Sequence, residues 1–362
     1  MSRQFVPASL DQITPDLITT ALRTSGFSDV SVASLSFERI AVGDGFLGEL
    51  ARLSIEYANG AGPATAIAKI PTTDPGMKPV GDIMDVYGRE HRAYANLIPH
   101  MQMRTPQAYL NVSDEDSGAH CLILEDIGHL PRGDQHAGAT LQQAQSAMVA
   151  AAGLHGRWWN QIAQIDWLRS PSDSAAAAGM FEAGWPMIID QHGEQLGPVA
   201  KQLELFLPTI SDALTASGAQ NYTLTHGDFR LDNMFFDGDE LVMIDWQLIE
   251  VGSGIRDVVW FLTGNLDPEM RRAHESELIS SYRITLEKMD AGYVHLEDLM
   301  NAYRLSLNVY LCMALFGSVT AEETTKRGEE LWERMITRML DAYVEHEAWE
   351  LIGAHDLDPE MR

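Results

Sequence analysis

The sequence predicts a two-part α+β fold, in which a strand-rich first third precedes a mainly helical remainder. Three observations predict it. Between Val30 and Leu124 the apolar residues come in short runs, broken by turn clusters such as Asn59-Gly60-Ala61-Gly62-Pro63; this is the pattern of paired strands. Just after Asp126 the composition changes, and capped helical periods take over. At 362 residues the chain is long enough for two lobes and a sizeable core, expected at residues 1–126 and 127–362.

Taken in order, Thr14 caps a helix whose first residue is Pro15, where a fixed φ and a missing N–H cost nothing. Leu17, Ile18, Ala21 and Leu22 give it an apolar face, and Gly26 ends it. Val30 to Ile40 reads as a strand. Gly43-Asp44-Gly45-Phe46-Leu47-Gly48 is a G-x-G-x-x-G loop. Leu53, Ile55 and Tyr57 alternate after it, so a strand leaves the loop, whereas a dinucleotide-binding turn would open a helix. A strand–glycine–strand unit can fold its backbone N–H groups over phosphates; a glycine hairpin with no ligand is the plainer alternative. The next strand, Ala64 to Ile70, carries Lys69 within an apolar run. A buried ammonium without a partner is costly, so an anion is expected beside it. After the Pro79-Val80-Gly81 turn comes a helix with Met84, Tyr87, His91, Tyr94 and Leu97 on one face. Pro106 to Val112 and His120 to Leu124 form a further hairpin.

In the second part, Thr140 and Gln143 make a capping box for a helix running to about Gln161. Val199 to Leu207 is expected to be helical. Met234 to Phe236, the Asp237-Gly238-Asp239 turn and the run Leu241 to Ile244 form a hairpin with polar residues at its open end, Asp245 among them. Helices near Pro268 to Leu286, His295 to Val319 and Thr325 to Leu351 follow. The apolar stretch Leu305 to Val319 is expected to be too short and too polar to span a bilayer.

Asp228 precedes Asn233 by five positions, and Asp245 follows twelve later. Phosphoryl transfer needs its charge neutralised and its attacking oxygen aimed, and hard oxygen ligands suit Mg²⁺. The D-x-x-x-x-N…D spacing of kinase sites supplies both: one Asp orients the acceptor hydroxyl, while the Asn and the second Asp hold the metal. Turn-forming Asp and Asn on a surface hairpin are the bland alternative.

His226-Gly227-Asp228-x-x-x-x-Asn233 followed by Ile244-Asp245-Trp246 resembles the aminoglycoside phosphotransferase-like superfamily, and within it the branch of ecdysteroid kinase-like proteins and their bacterial relatives. The resemblance implies a bilobal protein-kinase-like fold, with a small antiparallel sheet and one helix in the first lobe and a larger helical second lobe. By position it implies a catalytic Asp228, with Asn233 and Asp245 as Mg²⁺ ligands and Gly43, Gly45, Gly48 and Lys69 at the ATP phosphates. Glu90-His91-Arg92-Ala93-Tyr94 resembles the family's Glu-x-x-x-Tyr helix, which makes Glu90 the partner of Lys69. Leu122 to Ile127 resembles the hinge, so backbone groups of Glu125 and Ile127 are expected at the adenine edge. Leu154-His155-Gly156-Arg157-Trp158-Trp159 resembles the Leu-His-Ala-x-x-Trp segment, with His155 expected to pack beside the catalytic loop. His226 is expected to support that loop, and Asp257 to tie down its backbone or, on the rival reading, to cap a helix. Asp245-Trp246-Gln247 stands where protein kinases carry Asp-Phe-Gly, and no Ala-Pro-Glu follows at activation-segment distance. These departures, with His226-Gly227-Asp228 where protein kinases carry His-Arg-Asp, favour a small-molecule kinase.

Lys and Arg number 25 against 52 Asp and Glu, leaving a formal charge of −27. Binding to nucleic acid or to an anionic membrane is thereby disfavoured. Cys121 and Cys312 lie in apolar runs and offer no disulfide framework, and the N-terminus lacks a basic-then-apolar leader; a cytoplasmic setting is expected. The expected acceptor is a small-molecule alcohol, a hydrophobic one (steroid-like or another secondary alcohol) being favoured. An aminoglycoside, which the acidity would suit, is the alternative. A nucleotide-binding pseudokinase is the rival from another class; the complete set Lys69, Asp228, Asn233 and Asp245 argues against it.

Overall fold

The computed structural model describes residues 5–40, 47–114, 116–162, 165–169, 178–210, 222–289, 291–320 and 326–351. The chain divides into two compact units. Residues 1–131 together with 242–248 form the first, and residues 132–241 with 249–362 form the second. The sequence-based boundary after Asp126 thus falls five residues before the structural one, and a short stretch from the second half joins the first unit. The fold class is the expected one: an antiparallel sheet of five strands and a larger, mainly helical part.

The first unit is built on strands β1 (Ser31–Ile40), β2 (Gly48–Asn59), β3 (Thr65–Pro71), β4 (Ala108–Asp114) and β5 (Ala119–Glu125), in the order β1-β2-β3-β5-β4 and antiparallel throughout. Strand side chains alternate between faces. Ala51, Leu53 and Ile55 of β2, Ala66, Ala68 and Ile70 of β3, and Cys121 and Ile123 of β5 therefore share one face, where they pack in a single core with Ile18, Ala21 and Leu22 of helix α1 (Pro15–Thr24). Thr14 caps α1 as its sequence requires, accepting the Leu17 N–H at 3.3 Å. The opposite phase of β3 carries Lys69, which pairs in register with Leu50 and Leu122. On the chain between β3 and β4 stand α2 (Met77–Ile83) and α3 (Val86–Asn96), two helices where the sequence suggested one. They are separated by Asp85, whose left-handed backbone (φ 53°) breaks the helical path. After β5, Asp126 accepts from Arg52 Nε at 2.7 Å and from the Gly128 N–H at 2.9 Å, which pins the strand exit to β2.

The second unit opens with α4 (Leu141–Trp158), started by the expected capping box of Thr140 and Gln143. Helices α5 (Ala178–Leu196, with Pro186 inside it) and α6 (Val199–Phe206) follow. Strand β6 (Tyr222–Thr225) pairs antiparallel with β9 (Glu250–Ser253), while β7 (Met234–Asp237) and β8 (Glu240–Met243) form a tight hairpin whose turn uses Gly238 at φ 64°. Helix α7 (Ile255–Asn265) is buried along its whole length. It is surrounded by α8 (Pro268–Lys288), α9 (Leu296–Thr320) and α10 (Lys326–Glu345). The apolar stretch from Leu305 thus lies inside the helix that the sequence placed at His295 to Val319. Leu296–Val319 has the length and composition of a membrane span, but 56% of its most apolar window is buried among neighbouring elements, which is how a core helix reads.

Replacing Leu53, fully buried between β2 and α1, by Ala should lower the unfolding free energy by about 2–5 kcal/mol. Urea denaturation of the two proteins measures it.

Candidate active site

Two groups of polar side chains, one in each unit, contain Lys69, Glu90 and Asp245 and, separately, His226, Asp228, Asn233 and Asp257. In the first unit the ammonium of Lys69 lies 2.8 Å from Glu90 Oε1, 2.7 Å from Glu90 Oε2 and 2.8 Å from Asp245 Oδ1. Glu90 comes from α3 and is 3% exposed; Lys69 is 11% and Asp245 34% exposed. Asp245 reaches this unit because residues 242–248 fold onto it. The Met243 N–H donates to the Arg104 carbonyl at 2.9 Å, and the turn Trp246–Leu248 packs against α3. Asp245 itself sits in the left-handed region at φ 66°, a conformation costly for a non-glycine residue and held here by its surroundings.

Two carboxylates thus share one buried ammonium. Burial by itself would lower the Lys69 pKa, but the charges of Asp245 and Glu90 outweigh it and hold the side chain protonated. Burial pushes Glu90 up, and the neighbouring Asp245 charge adds to the rise against the pull of Lys69. Asp245 is the more exposed of the two acids. Gly48 lies close by: a Cβ on it would stand 3.7 Å from Lys69 Cε. Gly43 and Gly45 lie outside the described residues. At the strand exit, the Glu125 N–H is spent on the Gln107 carbonyl at 2.8 Å, and the Ile127 carbonyl accepts the Leu130 N–H at 2.9 Å.

In the second unit, β6 delivers the chain into His226-Gly227-Asp228, and α7 supplies the group that holds it. Asp257, 1% exposed, accepts the His226 N–H at 2.7 Å through Oδ2 and the Gly227 N–H at 3.1 Å through Oδ1. His155 Nε2 stands 3.2 Å from the same Oδ2, and its Nδ1 lies 2.8 Å from the Tyr282 hydroxyl. His155 thus links the Asp257 carboxylate, through Nε2, to the Tyr282 hydroxyl, through Nδ1. His155 is fully buried, so it can orient Asp257 but has no access to a substrate. Burial would raise the Asp257 pKa, yet His155, His226 and the His226 N–H bring it below the ordinary carboxylate value. His226 Nδ1 accepts the Asp228 N–H at 3.2 Å, a second tie within the loop.

The Asp228 carboxylate is 19% exposed. Its Oδ2 accepts from Arg230 Nε at 2.9 Å and from Asn233 Nδ2 at 2.9 Å, and its Oδ1 from the Trp260 indole N–H at 3.1 Å. Asn233 Nδ2 also donates to the Asp228 carbonyl at 3.0 Å. With its amino group committed there, Asn233 has its amide oxygen left to offer, a hard ligand like the Asp245 carboxylate and of the kind Mg²⁺ selects. Among the described residues no cluster of three or more His, Cys, Asp or Glu could hold a metal.

Two residues that touch Asp228 escaped the sequence reading. Arg230 follows it by two positions, and Trp260 lies one helical turn beyond Asp257 on α7. The i, i+3 spacing puts Asp257 and Trp260 on one helix face. That spacing is the signal by which Trp260 could have been found.

Since the Asp257 carboxyl titrates below its unfolded value of about 4, its stabilising contribution is complete above that pH and is lost as the pH falls through the lower folded value. Asp257→Asn should cost about 3–5 kcal/mol at neutral pH and flatten the acid side of the stability profile. Urea unfolding of both proteins between about pH 3 and 7 tests this.

Residues 177–291 match the model of the ecdysteroid kinase-like family. Solved structures share the fold. The chain superposes on an assigned aminoglycoside phosphotransferase from Ralstonia eutropha with a TM-score of 0.54 and 17% identity, covering 94% of this chain and 99% of that one. For choline kinase from Cryptosporidium parvum the TM-score is 0.54 and the identity 12%, over 86% and 89% of the chains. For the GDP complex of an aminoglycoside 2′-phosphotransferase-IIIa mutant they are 0.51 and 14%, over 94% and 100%. A search of curated proteins by sequence finds no match. The chain therefore has a protein-kinase-like fold shared with small-molecule phosphotransferases, and through residues 177–291 it resembles the ecdysteroid kinase-like family.

Proposed function

We propose that this protein is an ATP- and Mg²⁺-dependent phosphotransferase that phosphorylates a hydroxyl group of a small molecule. The observation that carries this reading is the contact of Lys69 with both Glu90 and Asp245. It keeps an ammonium charged in a buried place and presents a partly exposed carboxylate beside it, as a metal–phosphate ligand requires. Lys69, positioned by Glu90, is the proposed phosphate-binding cation, with backbone N–H groups of the loop around Gly48 assisting. Asn233 and Asp245 are the proposed ligands of Mg²⁺, which when bound neutralises phosphate charge. Of the two hinge residues, Glu125 has already used its N–H within the strand pair, so the Ile127 N–H is the better candidate donor to adenine.

Asp228 orients the acceptor hydroxyl. The hydroxyl oxygen attacks the γ-phosphorus, the bond from that phosphorus to the bridging oxygen breaks as ADP leaves, and the hydroxyl proton passes to Asp228 and then to solvent. Asp257 and His226 hold the loop that carries Asp228. The complete set of Lys69, Asp228, Asn233 and Asp245 supports activity over a pseudokinase role, and the buried, free thiols of Cys121 and Cys312 fit a cytoplasmic setting. The favoured acceptor is a hydrophobic, steroid-like or other secondary alcohol.

Asp228→Asn should leave Mg-ATP affinity nearly unchanged and cut turnover by about 10²- to 10⁴-fold, whereas Asp245→Asn should weaken Mg²⁺-dependent nucleotide binding itself. Calorimetric titration of ATP with and without Mg²⁺, beside steady-state rates, distinguishes them; equal loss of binding in both variants contradicts the roles given. For the acceptor, ADP release is measured with cyclohexanol, a 3-hydroxysteroid and kanamycin. Turnover of either apolar alcohol is expected, and turnover of kanamycin alone would reverse the order.

A further inference from the structure

We propose that Asp228 Oδ1 is the oxygen that receives the acceptor hydroxyl, and that Trp260 is the positioning residue that fixes it in that task. The inference rests on the orienting role given to Asp228 above. A carboxylate oxygen has two lone-pair sites, so each accommodates about two donors. Oδ2 has both places taken, by Arg230 Nε and Asn233 Nδ2, each at 2.9 Å. Oδ1 takes one donor among the described residues, the Trp260 indole N–H at 3.1 Å. One place is left on the carboxylate, and it lies on Oδ1 beside the indole.

The donors on both sides are fixed. The Trp260 ring, 8% exposed, lies against Tyr310 of α9 with centroids 5.0 Å apart at a 44° tilt. Tyr310, itself buried, stands 5.8 Å from the Arg256 guanidinium, and Arg256 Nη1 pairs with Glu250 Oε1 at 2.7 Å. Glu250 belongs to β9 and is the register partner of Thr225, the residue immediately before His226. The stack that holds the indole is therefore anchored in the two-stranded sheet that launches the Asp228 loop. On the other side, Arg230 Nη1 donates to Gln135 Oε1 at 3.2 Å. An indole N–H donates and cannot accept, so it locks one carboxylate orientation without competing for the hydroxyl proton. The acceptor carbon bearing the hydroxyl then meets the rim of an aromatic ring, an apolar edge beside the carboxylate.

The test removes the N–H and keeps the ring. Trp260→Phe, and a second protein carrying 3-benzothienylalanine at position 260 (the same bicycle with sulfur in place of N–H), are compared with wild type. ADP release from Mg-ATP is followed with water as acceptor and with a 3-hydroxysteroid, beside the thermal unfolding midpoint. Loss of a hydrogen bond to a charged group should lower kcat about tenfold or more in both, with KM for ATP unchanged within about twofold. Wild-type kcat in the benzothienylalanine protein overturns the inference, as does a fall in kcat matched by an equal rise in KM for ATP, which marks general loosening. That protein decides the matter even where Trp260→Phe fails to fold. Asp228→Asn, run alongside, separates the two levels: wild-type turnover there removes the role of Asp228 itself, whereas an inactive Asp228→Asn beside an unimpaired benzothienylalanine protein removes only the part given to Trp260.

Discussion

A buried carboxylate holding two consecutive backbone N–H groups is the constraint on which the second unit's polar site depends. Asp257 is all but inaccessible and would be expensive to keep ionised there, yet three donors reach it from within the unit: the His226 and Gly227 N–H groups from the loop and His155 from α4, with the Tyr282 hydroxyl of α8 behind His155. Peptide N–H groups that turn toward an anion have no freedom to turn elsewhere. The loop is therefore held in one conformation, and the side chain of Asp228 leaves it in one direction. Gly254, next to the start of α7, reflects the same crowding, since a Cβ there would come within 2.6 Å of the Tyr282 hydroxyl and 2.7 Å of His155 Nδ1.

The first unit solves the opposite problem, how to keep a cation in an apolar sheet. Alternation puts Lys69 on the face of β3 away from α1, and α3 brings Glu90 to it. A single pair would satisfy the charge. The addition of Asp245 gives the cluster an excess of negative charge, which a bound cation can relieve. Lys69 is thus held protonated by its neighbours, while Asp245 adopts a backbone conformation that an aspartate tolerates better than most residues. Strain and charge excess meet at one residue, as is common where a protein keeps a group ready for a ligand.

Much of this was legible in the sequence because it is written locally. Thr14 before Pro15 and Thr140 three residues before Gln143 specify helix starts within a few positions, and the structure makes both caps. A lone Lys in an alternating apolar run demands a partner wherever it lies, and five- and twelve-residue spacings confine Asp228, Asn233 and Asp245 to one hairpin. What escaped is long-range. The pairing of β6 with β9 joins strands four residues long across an intervening hairpin, and such short strands have too little alternation to be seen. Pro186 inside α5 concealed a 19-residue helix, because proline in a helix interior normally breaks it. Trp260 is core, and its N–H meets a carboxylate only because another segment places one there. Arg230 was passed over because its side chain turns back onto its own loop, a choice that no periodicity encodes.

One consequence concerns how this chain can be divided. Residues 242–248 belong to the sheet-bearing unit although more than a hundred positions separate them from its end at Pro131. A gene fragment stopping at Pro131 would encode all five strands and both partners of the Lys69–Glu90 pair, but not the second acid. An insertion or recombination point placed between the two halves of the sequence would likewise transplant the sheet without Asp245. Any exchange of the sheet-bearing unit between proteins of this fold must therefore carry two separate coding segments.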